Sequence, residues 1–132
     1  MLSPEQIEAY FDRIGLPDET RRALKSVIKE ETDIEAITIL QKCHMSAIPF
    51  ENLMFYYTKT MKPPSFEIED LFEQMITRKR GHICDATNLL FAELMRSLGY
   101  SVYCTTMRRN NPVAGLLRPV NGDQSLIQYG PW

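Results

Sequence analysis

No run of apolar residues in this 132-residue chain approaches the ~20 needed to cross a bilayer, and its first residues lack the basic and apolar regions of a secretory leader. No membrane partner is expected, and the cytoplasm is the default location. Positive charge is in short supply too. Fifteen Lys and Arg face seventeen Asp and Glu, which leaves no surplus to neutralise phosphates and removes the main drive toward nucleic acid. Cysteines are sparse and odd in number (Cys43, Cys84, Cys104), which argues against a disulfide framework and leaves thiol chemistry or plain burial as their uses. Cys43, His44, His82 and Cys84 lack the C-x-x-C or H-x-x-x-H spacing of a structural zinc site, so no metal is expected. There is no internal repeat and no low-complexity segment. Only two histidines occur, His44 and His82, and none follows Cys84.

What is present suits one folded domain: 44% hydrophobic and 24% charged residues at a length that supports a single core. Ser3, Pro4 and Gln6 form a capping box ahead of Ile7, Tyr10, Phe11 and Ile14, spaced i, i+3, i+4, i+7 and closed by Gly15. A second helix is expected from Asp18 to about Glu30, with Leu24, Val27 and Ile28 as its apolar stripe. Thr32 and Glu35 box a third, whose face would carry Ile34, Ile37, Leu40 and His44. Residues 48–64, with Pro49, Phe50, Phe55, Tyr56, Tyr57, Pro63 and Pro64, read as an ordered, partly buried loop. Ile68, Leu71, Phe72, Met75 and Ile76 mark a fourth helix, ending at Arg78-Lys79-Arg80-Gly81. Leu90, Phe91, Leu94, Met95 and Leu98 mark a fifth, which starts at Cys84 or Asp85 and ends at Gly99. Residues 100–106 switch to period two and predict a strand without an obvious partner. The expected fold is mainly α: a bundle of about five helices over residues 1–99, then one strand and an irregular tail over 100–132.

Cys84 is the candidate for chemistry. It opens a helix just after three basic residues, where the helix dipole and positive charge favour thiolate, while Asp85 opposes them. Packing as a small hydrophobe is the alternative use. The basic run could meet phosphates, or form internal pairs and complement the preceding helix end. The aromatic loop could line a pocket or pack in the core. His44 reads as a packing residue at the end of its helix.

Several ordered blocks carry a resemblance. Tyr10-Phe11-Asp12-Arg13-Ile14-Gly15, His44 with Ile48-Pro49-Phe50-Glu51-Asn52-Leu53, Pro63-Pro64-Ser65, and Arg78-Lys79-Arg80-Gly81-His82-Ile83-Cys84 with Asn88 are similar to the N-terminal half of arylamine N-acetyltransferases. The resemblance runs to about Tyr103. It implies an α+β cysteine-triad fold of which this chain holds the helical part. It also implies that Cys84 takes an acyl group from acetyl-CoA or malonyl-CoA, as co-substrate, and passes it to an arylamine, a detoxifying reaction. The family's His and Asp lie downstream of its cysteine. Here no histidine follows Cys84, and Asp123 sits in no matching turn. His82 occupies the second glycine of the family's pair, where a β-carbon is expected to distort the turn, and Ala86 replaces a glutamate. The expectation is a truncated, catalytically inactive member. The alternatives are an active acyltransferase with His82 or His44 as surrogate base, or a non-catalytic binding or regulatory module that pairs with a full-length relative.

Overall fold

The computed structural model describes residues 1–25, 33–57 and 65–105. Helix α1 (Pro4–Ile14) begins as its capping box dictates: the Gln6 amide donates to Ser3 Oγ at 3.2 Å, and the Ser3 amide donates to Gln6 Oε1 at 2.8 Å. It ends where Gly15 enters the left-handed region at φ +63°. Helix α2 (Asp18–Leu24) buries Leu24. Val27 and Ile28, assigned to its stripe, lie outside the described residues, as does the Thr32 cap.

In α3 (Asp33–Ala47) the buried face runs through Ala36, Leu40 and His44. Ile34 was expected on that face and is 69% exposed instead. Steps of three residues lag the helix by about 60° each, so two such steps back from Leu40 carry Ile34 about 120° off the apolar stripe.

Within the expected aromatic loop lies a single turn, α4 (Met54–Tyr57). Phe50, Tyr56 and Tyr57 are exposed, so the alternative in which these rings fill the core does not hold for them. Helix α5 (Ile68–Phe72) continues into a π-helical turn (Glu73–Thr77), and its stripe of Leu71, Phe72, Met75 and Ile76 is buried as expected. Helix α6 (Cys84–Ser97) buries Ala86, Leu90, Ala92, Leu94 and Met95. The five apolar stripes thus correspond to α1, α2, α3, α5 with its π turn, and α6. Tyr10, Phe11, Leu40, Met75, Leu90 and Leu94 meet in one core.

The strand expected over residues 100–106 is not formed in its described part. Tyr100 donates its amide to Met95 O at 3.0 Å and Arg96 Nε donates to Val102 O at 3.1 Å, which folds the segment back onto α6. Alternation alone makes no strand without a neighbour to complete the ladder. Among the described residues, strand-type pairing is confined to one parallel bridge between Phe50 and His82. No described helix is long and apolar enough to cross a membrane.

Candidate active site

Cys84 is the first residue of α6 and is held there by the segment before it. The His82 amide donates to Pro49 O at 3.3 Å, and the Glu51 amide donates to His82 O at 3.0 Å. Glu51 also accepts the Gly81 amide at 3.1 Å and pairs with the Arg80 guanidinium. That bond to Arg80 is the main reason the Glu51 carboxyl is held below its usual range. From the π turn, Gln74 Nε2 donates to Gly81 O at 2.9 Å and Gln74 O accepts the Arg80 amide at 3.1 Å. Arg13 reaches across from α1 to Met75 O, Ala47 O and Lys79 O at 3.1, 2.9 and 3.4 Å. The blocks containing Arg13 and Glu51 are prominent in the sequence. Gln74 has no such signal, because it joins the site only through the widened π turn.

Both arginines of the basic run are engaged elsewhere. Arg78 pairs with Glu73 at 3.1 Å and Arg80 with Glu51, so internal pairing is its use and neither guanidinium stabilises the sulfur. Ile83 precedes α6 without a side-chain cap, and the backbone amides of Cys84 and Asp85 do favour thiolate. They are outweighed. Burial, then the charge of Asp85, pushes the Cys84 thiol above its ordinary value, with the Asp85 carboxylate 3.8 Å from Sγ. The expected activation by dipole and positive charge therefore reverses in sign. Asp85 is the side-chain hydrogen-bonding partner of the sulfur among the described residues.

Both histidines share a cleft of about 160 Å³ with Cys84, walled also by Ile48, Phe50 and Asn88. His44 is buried against Phe91, and Tyr10 Oη lies 2.8 Å from its Nδ1. Tyr10 is fully buried and kept protonated by that burial, and its hydroxyl shares a hydrogen bond with His44 Nδ1. Burial drives His44 down to about 4, with a smaller opposing pull from the Thr87 backbone, while Nε2 finds no partner at hydrogen-bond geometry. The packing role expected of His44 is the one observed.

His82 does not distort the turn. Its φ lies outside the left-handed region, its ring is 1% exposed, and Nδ1 accepts the Ile83 amide at 2.8 Å. An amide can only donate, so the ring proton sits on Nε2. Each imidazole thus has its Nδ1 engaged, and neither hydrogen-bonds the sulfur. Asp123 lies outside the described residues.

A family model described as N-acetyltransferase matches residues 33–117. The chain is 31% identical over 96 residues to proansamycin X synthase of Amycolatopsis mediterranei, covering 73% of the chain and 33% of that protein. It is 27% identical over 104 residues to an N-malonyltransferase of Gibberella moniliformis, covering 74% and 30%. It is 35% identical over 101 residues to arylamine N-acetyltransferase 2 of Mus musculus, covering 76% and 30%. The chain therefore spans about a third of the length of the curated relatives it matches.

Proposed function

Because the chain belongs to the arylamine N-acetyltransferase family, we propose that Cys84 is its acyl-accepting nucleophile, and that these 132 residues by themselves do not turn over. The acyl donor is a CoA thioester, acetyl or malonyl, and the acceptor is an aromatic amine, whose conversion to an amide is a detoxifying step. The half-exposed ring of Phe50 at the edge of the cleft suits an aromatic acceptor.

One observation carries the second half of the reading: the sulfur hydrogen-bonds a carboxylate and no imidazole. Acyl exchange needs a thiolate, and burial together with the Asp85 charge holds this thiol above the ordinary cysteine range, so the protonated form dominates at pH 7. Among the described residues, no base is placed on the sulfur to take the thiol proton and later relay it. Asp85 stabilises the protonated form instead.

At neutral pH with acetyl-CoA or malonyl-CoA and an arylamine, the purified chain is expected to form no amide above the uncatalysed rate and no adduct on Cys84. With p-nitrophenyl acetate at a pH of about 10, where thiolate is populated, intact mass should show an acetyl adduct that Cys84→Ser abolishes. Amide formation from acyl-CoA that depends on Cys84 would show that the residues here already complete the site.

A further inference from the structure

We propose that His82 is a hydrogen-bond donor to the acyl carbonyl oxygen of a ligand being attacked by Cys84. The inference rests on the nucleophile reading above and assigns a second residue to the same cleft.

His82 is almost wholly buried, which for a polar side chain demands a use for both nitrogens. Nδ1 is occupied by the Ile83 amide at 2.8 Å. That bond fixes the tautomer and leaves Nε2–H as a donor with no protein partner among the described residues. His82 forms part of the wall of the cleft that contains Cys84, and its Nε2 is not sealed in the core as the unpartnered His44 Nε2 is. Burial also keeps the imidazole neutral at neutral pH, so it offers a dipole rather than a charge.

The backbone then fixes its place. The bridge to residues 49–51 anchors His82 on both its amide and its carbonyl, two residues before the nucleophile. The amides that open α6 have no side-chain cap, and those of Cys84 and Asp85 lie close enough to the sulfur to favour its thiolate. A carbonyl oxygen over Cys84 would find donors there already oriented, which is the condition for stabilising charge that develops during attack. In that step the Cys84 thiolate bonds to the carbonyl carbon and the π electrons move onto oxygen, where Nε2–H stabilises them. They return as the leaving group departs with its electron pair, and the thiol proton goes to solvent.

The test compares two reagents at a pH of about 10 on wild type, His82→Leu and His82→Gln. p-Nitrophenyl acetate develops charge on a carbonyl oxygen, whereas methyl methanethiosulfonate reacts with the same thiolate without one. Leu and Gln both sacrifice the Ile83 bond, so their difference isolates the donor, which the Gln amide keeps. His82→Leu is expected to slow acetylation on the order of tenfold and leave the thiosulfonate rate within about twofold, with Gln recovering most of the loss. Unchanged acetylation in His82→Leu, equal slowing of both reactions, or no recovery by Gln would overturn the role of His82 and leave the nucleophile assignment standing. A wild-type Cys84 that reacts with the thiosulfonate but is never acetylated would overturn both.

Discussion

Gly81→Ala is expected to destabilise the protein by about 3 kcal/mol or more, the sum of overpacking and of hydrogen bonds lost around it. A β-carbon at Gly81 would stand 2.0 Å from Pro49 O, 2.9 Å from Pro49 C and 3.0 Å from Glu51 Cβ. Two of those atoms are backbone, in the segment bridged to His82, so they cannot rotate away. Relief requires opening the bridge, and with it the bonds from the His82 amide to Pro49 O and from the Glu51 amide to His82 O. Glu51 would also lose its grip on the Gly81 amide. Gly15→Ala is the contrast: its β-carbon would meet nothing within 4 Å, and only the left-handed φ of +63° is strained, worth about 1 kcal/mol. Urea unfolding of the two variants should separate them clearly. A Gly81→Ala protein within about 0.5 kcal/mol of wild type would mean that the segment holding Cys84 is not closed as described.

Acid is expected to weaken the fold before carboxylates protonate. His44 titrates at about 4 in the folded chain against 6.5 for a free imidazole, so between those values the unfolded state binds more protons. The contribution of His44 is complete above 6.5, declines as pH falls, and is exhausted near 4, a loss of about 3 kcal/mol. The cause is structural. Protonation would place a charge inside the core beside Tyr10 and Phe91. His82, also held low by burial, adds loss in the same direction. Urea midpoints at pH 7, 6 and 5 should fall in sequence, and His44→Asn should start lower and fall less. Equal wild-type midpoints across that range would contradict the burial of both rings.

The helices were legible because local chemistry and tertiary burial agree in them. The box at Ser3 and Gln6, the left-handed Gly15 and the stripes ending in Leu40, Met75 and Leu94 all point to one core. Legibility failed where the outcome depends on a distant partner. Residues 100–105 alternate in polarity, yet a strand needs a neighbour, and the hydrogen bonds go to α6 instead. At the site, position alone marked Cys84 as the helix-start thiol. The sign of its electrostatics was not readable, because Arg78 and Arg80 spend their charge on Glu73 and Glu51. His82 in the place of the family's glycine predicts a distorted turn. Its backbone adopts no left-handed conformation, and the side chain finds a place between the Ile83 amide, Phe66 and the cleft. The same tautomer that makes it a donor is what removes it as a base.

The pH profile of Cys84 alkylation tests the central claim most directly. With Cys43 and Cys104 replaced by serine, the rate with iodoacetamide should rise through one ionisation above the ordinary cysteine range of about 8.5–9, with no reactive plateau at neutral pH. A plateau beginning below pH about 7, lost on replacing His44 or His82, would reveal a thiolate–imidazolium pair and contradict the account.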